Sequence, residues 1–169
     1  MADIAIHSAT ANERPGISAL TVAAYCEYAS IIPQHWEGYR QNILATVAQA
    51  SPDWLLVAEM DGLAVGSVIL YPAGIEIPLA GDAPVRLAEP ELRLLAVAPP
   101  ARGKGVGDAL MQECFRRSRA AGASSITLHT LDFMQAAMRL YARLGFQPAP
   151  ELDLEPAPGA IARGYRLRF

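Results

Sequence analysis

The residues with the clearest chemical potential fall in one stretch, E-L-R-L-L-A-V-A-P-P-A-R-G-K-G-V-G-D-A-L, from Glu91 to Leu110. Leu92, Leu94, Leu95 and Val97 make an apolar run of strand length, and Pro99 and Pro100 end it because neither has an amide hydrogen for a ladder. Gly103, Gly105 and Gly107 then lead into a helical pattern carried by Val106, Leu110 and Cys114. A strand, a glycine-rich turn and a helix start together suit an anion: glycine lets the backbone come close, and first-turn amides point outward unpaired. Each amide that meets a phosphate oxygen forms a charge-assisted hydrogen bond, worth about 1.5–3 kcal/mol where water is excluded. A phosphate-bearing ligand is the expectation.

Spacing narrows the kind of ligand. A P-loop needs G-x-x-x-x-G-K and then Ser or Thr, but Lys104 is followed by Gly105 and Ala98 stands at the first glycine position. A G-x-G-x-x-G dinucleotide fingerprint fails because Asp108 takes the third glycine's place. That fingerprint also opens its fold, whereas this turn lies past the middle of the chain.

The elements around the turn follow from periodicity. Ile4 and Ile6 suggest a first strand, and Asn12 is the expected cap of a helix carrying Ile17, Leu20, Val22, Ala24 and Tyr25. Pro33 breaks that segment, and a second helix is expected from near Gln34 to about Ala50. Trp54 to Ala58 and Ala64 to Leu70 read as strands joined by a turn at Asp61-Gly62. Residues 72–90, rich in Pro, Gly and Ala, read as an extended loop or frayed strand ends, a length that signals function or mobility. The helix after the glycine turn should stop at Gly122. Ile126, Leu128 and Thr130 alternate with Thr127 and His129 as the next strand, and Tyr165, Leu167 and Phe169 mark a terminal one. The piece P-A-P-E-L-D-L-E-P-A-P-G reads as a hairpin connection.

The turn resembles the acyl-CoA-binding core of the GNAT superfamily of N-acetyltransferases. That family carries R/Q-x-x-G-x-G/A after a strand ending in V-x-P, matched by Arg102, Gly105 and Gly107 after Val97 and Pro99. A second segment, M-Q-A-A-M-R-L-Y-A-R-L-G-F, resembles the family's N-x-x-A-x-x-x-Y-x-x-x-G-F, with Ala137, Tyr141, Gly145 and Phe146 in register; Gly145 should end this helix and Phe146 start the next strand. Met134 occupies the usual Asn position, so the contact that Asn makes to the pantetheine arm or nearby backbone is missing or replaced.

The resemblance implies an α/β (α+β) fold: a mixed, mostly antiparallel sheet of six to seven strands, helices on both faces, splayed between strands four and five. It implies one domain over residues 1–169. It implies acetyl-CoA as cosubstrate, its pyrophosphate cradled by the amides of Arg102, Gly103, Lys104, Gly105, Val106, Gly107 and Asp108. The backbone of Leu95, Ala96 and Val97 would pair with pantetheine like an added strand, and a backbone amide at or near Val97 would support the thioester carbonyl. Tyr141 is the expected acid for the departing thiolate, since a tyrosine hydroxyl can donate while its ring packs. Glu91 is the candidate base, with partial burial expected to raise its pKa towards a useful value. Glu89 is a weaker neighbour, and His129, His7 and His35 read as structural before catalytic. Arg116, Arg117 and Arg119 read as a solvated face rather than a 3′-phosphate site, and Cys114 as buried and inert.

Composition sets the remaining bounds. Hydrophobic residues make up 52% and charged residues 18%, which argues against disorder. No run approaches the ~20 apolar residues of a membrane span, and the opening M-A-D-I-A-I-H lacks signal-peptide order. A net charge of −3 makes nucleic acid an unexpected partner and does not repel a cationic amine. Cys26 and Cys114 show no metal spacing, so no metal and a reducing, cytoplasmic setting are expected. The expected activity is N-acetylation of a small-molecule amine. A protein lysine or N-terminus is the alternative acceptor, and a non-catalytic acyl-CoA-binding module is the rival class. A homodimer is a further expectation from the family, with no surface marked for it.

Overall fold

The computed structural model describes residues 3–78 and 83–169. In chain order its elements are β1 (Ala5–Ser8), α1 (Arg14–Tyr25), α2 (Trp36–Gln49), β2 (Leu55–Met60), β3 (Leu63–Tyr71), β4 (Glu76–Ile77), β5 (Val85–Arg86), β6 (Glu91–Val97), α3 (Val106–Ala120), β7 (Ser125–Leu131), α4 (Gln135–Arg143), β8 (Gln147–Pro148), β9 (Leu154–Ala157) and β10 (Ala160–Arg168). The fold is the expected mixed, mostly antiparallel α/β arrangement. Two compact units make it up, Met1–Leu70 with Leu94–Glu113 and Tyr71–Arg93 with Cys114–Phe169.

The first unit carries β1, β2 and β3 in that order, followed by the later part of β6, from Leu94 on. β1 pairs antiparallel with β2, and β2 with β3 through the Asp61-Gly62 turn. Both turn residues have positive φ, 52° and 75°, the geometry a tight hairpin of this length needs. Along β2, Leu55 to Ala58 are all buried without alternation, the mark of a strand covered on both faces. Neighbouring residues of β3 show what covers it. The Thr21 hydroxyl of α1 lies 3.2 Å from the Ser67 hydroxyl. A Cβ on Gly66 would sit 2.7 Å from Val106 Cγ1 and 3.1 Å from Leu110 Cδ1 of α3. Successive strand residues face opposite ways, so α1 and the start of α3 lie on opposite faces of this sheet.

The entry to α1 corrects the expected cap. Asn12 caps nothing among the described contacts. Instead Glu13 reaches back, accepting from the Thr10 amide at 2.7 Å and the Thr10 hydroxyl at 2.6 Å. This is the reach-back half of a capping box, and T-A-N-E at Thr10 to Glu13 is its signature. Glu13 also holds His7 Nε2 at 2.8 Å, which gives that histidine a structural place.

In the second unit β6 pairs parallel with β7, matching Glu91 to Thr127 and Leu92 to Leu128. β7 pairs antiparallel with β10, which also pairs with β8 and β9. Three short strands had no counterpart in the sequence. β9 lies inside the expected connection, and β4 with β5 forms a separate hairpin within the Pro-rich stretch. Residues 79–82 of that stretch lie outside the described residues. Phe146 precedes β8 rather than starting it, because its amide donates to Tyr141 O at 3.0 Å and closes α4 over Gly145, at φ 92°. The core joins Phe115, Phe146 and Tyr141, with ring centroids 6.0 and 5.8 Å apart. Arg119 does more than face water: its guanidinium carbon sits 4.4 Å over the Phe169 ring.

Candidate functional site

The glycine turn is formed as its residues require. Gly103 and Gly105 have φ of 74° and 83° and flank Lys104, which is not in the left-handed region. Alternating handedness turns successive amides towards one side and makes a concavity suited to an anion. The Ala109 amide donates to Gly105 O at 3.0 Å, so the turn passes straight into α3, whose first-turn N–H groups have no intrahelical acceptor. A Cβ on Gly103 or Gly105 would meet nothing within 4 Å, which fits an open turn where backbone, not side-chain crowding, dictates glycine.

Arg102 does not point its charge at that concavity. Its Nη1 donates to Glu27 at 2.7 Å, its Nη2 to Ala24 O at 3.0 Å and its Nε to Val97 O at 3.4 Å. The guanidinium thus ties the turn to the C-terminal end of α1, where a cation suits the helix dipole. Upstream, Leu94 has a φ of 52°, a region leucine rarely adopts, so β6 bends just before the residues expected to meet the ligand. Beyond the bend, Leu95 O accepts from the Tyr25 hydroxyl at 3.1 Å.

The second unit holds a cavity of about 250 Å³, floored by Glu91, Arg93, Thr127 and His129. Thr127 and His129 are alternate residues of β7 and share one face. Glu91 is only 4% exposed; its Oε1 accepts from Arg93 Nε at 2.6 Å and lies 3.6 Å from His129 Nδ1. His129 Nε2 sits 2.7 Å from Leu152 O and so must carry the hydrogen it donates there. Burial favours neutral forms of both groups, but the ion pair outweighs it. Glu91 is held below its ordinary value by His129 and Arg93, and His129 is raised by Glu91 and the Leu152 carbonyl. The expectation that burial lifts Glu91 into a base's range is therefore reversed.

Stability should depend on pH accordingly. Glu91's share is present above 4.5 and lost as pH falls through its lowered folded value. His129's share is full below 6.5 and lost as pH rises through its raised folded value. Thermal unfolding across roughly pH 3–9 should show a plateau between those limits. His129→Gln should flatten the alkaline limb; an unchanged limb would assign it to another group.

The family model for the acetyltransferase (GNAT) family matches residues 19–146. The chain belongs to that family. An uncharacterized N-acetyltransferase of Schizosaccharomyces pombe is 31% identical to this GNAT chain over 107 residues, 63% of this chain and 59% of that protein. The match thus spans less than two thirds of that relative's length. PaiA N-acetyltransferase from Thermoplasma acidophilum, in complex with coenzyme A, has a TM-score of 0.73 at 13% identity, covering 99% of both chains. A GNAT family acetyltransferase from Brucella melitensis, in complex with acetyl-CoA, has a TM-score of 0.60 at 24% identity, covering 100% of this chain and 90% of that one. At those identities the likeness is one of fold.

Among the residues singled out from the GNAT motifs, Arg102 to Asp108 and Leu95 to Val97 lie in the first unit, and Tyr141 and Glu91 in the second. Tyr141 is 8% exposed, its ring 5.8 Å from that of Phe146. Met134 stands at the N-cap of α4 with no side-chain cap bond, as a thioether dictates where Asn would cap well. Glu89 is occupied by Arg166, at 2.8–3.0 Å, and by Ser125. Cys114 is fully buried, whereas Cys26 is exposed and His35 likewise. Among the described residues no His, Cys, Asp and Glu group could hold a metal, and no helix is long and apolar enough to cross a membrane. Glu27, Tyr25 and Arg93 escaped sequence reasoning. Glu27 lies 75 positions from Arg102, and no local pattern announces such a pair.

Proposed function

We propose that this protein moves an acetyl group from acetyl-CoA to a primary amine of a small molecule, by direct attack in a ternary complex. The observation that carries the reading is the pair of left-handed glycines, Gly103 and Gly105, placed immediately ahead of α3. Their amides suit a pyrophosphate, and relatives of the same fold are complexes with coenzyme A and acetyl-CoA. The two units read as one catalytic domain, which the family match running through segments of both supports. A cytoplasmic setting belongs to the same reading.

In this reading a C–N bond forms as the thioester C–S bond breaks, the amine loses a proton and the thiolate gains one. Gly103, Lys104, Gly105, Val106, Gly107 and Asp108, with the Arg102 amide, hold the pyrophosphate. The backbone of Leu95, Ala96 and Val97 aligns the pantetheine, and an amide at Val97 supports the carbonyl oxygen as charge develops there. Tyr141 donates the proton to sulfur. Glu91, kept ionised by His129 and Arg93, attracts the acceptor's ammonium group and passes its proton towards water. A carboxylate with a lowered pKa abstracts protons weakly, so binding the amine is the larger part of its work.

Calorimetric titration with acetyl-CoA, CoA, ATP and NAD at one salt concentration tests the reading. Micromolar binding of acetyl-CoA and CoA alone, about −8 kcal/mol, is the expected result. Absent CoA binding, or equal binding of ATP, would remove the assignment. CoA binding without thiol release from any amine would favour the binding-module reading.

A further inference from the structure

The cavity in the second unit has a charge arrangement that amine binding leaves unexplained. Each carboxylate on its wall already has a basic or amide partner. Glu89 and Glu151 both bind Arg166, Asp153 accepts from Arg163 and the Gly164 amide, and Glu91 accepts at Oε1 from Arg93. The arginines on the wall are not matched in the same way. Arg93 donates through Nε alone, and neither its Nη1 nor its Nη2 has a hydrogen-bond partner among the described residues. Arg86, exposed at the end of the β4–β5 hairpin, has none there for any of its nitrogens. Glu91 Oε2 likewise has no partner among the described residues.

A guanidinium anchored by Nε presents its two terminal N–H groups as a fork, the shape that takes a carboxylate through two parallel bonds. Nearby, Ile77, Leu87 and Leu154 give the wall apolar surface. About 250 Å³ is small even for a ligand pocket and matches a molecule the size of an amino acid.

From this, and resting on the acetyltransferase reading above, we infer that the acceptor is an amino acid: a small amine carrying a carboxylate, with the amine at Glu91 Oε2 and the carboxylate on the Arg93 fork, assisted by Arg86. Arg93 is then a specificity-determining residue. It holds the part of the substrate that does not react, and it steadies Glu91 through the opposite edge of the same guanidinium.

The test compares matched acceptors with and without the carboxylate, such as leucine with 3-methylbutylamine and γ-aminobutyrate with propylamine, using the full chain and saturating acetyl-CoA. In at least one pair the acid should exceed the amine about 10- to 100-fold in kcat/KM, mostly through KM, the range of one charge-assisted fork. Arg93→Met should erase that preference while leaving the acetyl-CoA Kd unchanged. Equal turnover of acids and amines by the wild type would overturn the inference. An Arg93→Met variant that slows both classes alike would overturn it too, since a merely structural arginine behaves that way.

Calorimetry with the amino acids alone separates this inference from the acetyltransferase reading. Saturable binding of an acid but not its amine, lost in Arg93→Met, upholds the subsite even if no acetyl group moves. Acetyl transfer without carboxylate preference leaves the enzyme and removes the subsite. Should Arg93→Met fail to fold, Arg86→Met, on an exposed residue, must weaken the same acids several-fold or the inference falls.

Discussion

Gly164→Ala should lower the melting temperature by roughly 5–15 °C, the response of a chain this size to a loss of about 2–4 kcal/mol. Gly164 lies in β10 opposite His129, and its backbone is gripped from both sides by the segment ahead of β9. The Ala149 amide donates to Gly164 O at 2.9 Å, and the Gly164 amide donates to Asp153 at 2.8 Å. A Cβ there would collide with Leu152 Cβ and lie 2.9 Å from Ala149 O. The obstruction is largely backbone, so no rotamer change relieves it. The segment must move, and Leu152 O, which accepts from His129 Nε2, moves with it. The variant should therefore also raise the acceptor KM while acetyl-CoA binding stays as it was. Gly38→Ala, in α2 with nothing within 4 Å of its new Cβ, is the control and should be neutral or stabilising by up to about 1 kcal/mol. Equal melting temperatures for the two variants would show that the β10 contact yields more easily than its geometry suggests.

Tyr141→Phe should reduce kcat about 10²- to 10⁴-fold, the usual worth of a positioned acid. The ring is buried against Phe146 and remains in the variant, so the fold and the acetyl-CoA Kd should be preserved. That split separates proton donation from packing. A tyrosine that mattered only as a core aromatic would leave kcat intact on losing its hydroxyl. Thiol release measured at saturating acetyl-CoA, with Kd from calorimetry, decides it. Unchanged kcat would return the acid role to water or to another group.

How much of this could be read from residues alone depended on how local the physics was. The glycine turn, the Asp61-Gly62 hairpin and the stops at Gly122 and Gly145 were legible because each rests on one or two residues that take positive φ. The capping box at Thr10 and Glu13 was equally local, and the nearby Asn12 masked it as the more familiar cap. β9 and the β4–β5 hairpin were hidden for another reason. Their strands are only two to four residues long and lie in stretches rich in Pro or Gly, so pairing rather than propensity makes them strands. The direction of the Glu91 shift was out of reach, since it depends on His129, 38 positions away in sequence only by way of the β6–β7 register. Arg102 was legible as a motif residue but not as a tether, because Ala24 lies in a helix distant in sequence and Glu27 in the turn that follows it.

That tether has an implication for what the turn is made of. With its arginine engaged by α1, the concavity at Gly103 to Gly105 is lined by peptide groups, which neither titrate nor carry side-chain identity. The binding surface is in that sense a mould, specified by backbone shape. Most side chains within it are free to drift so long as the glycines keep their handedness and the arginine keeps its anchorage. Heritable information about the ligand is therefore concentrated in very few letters, which is why so short a stretch speaks so clearly.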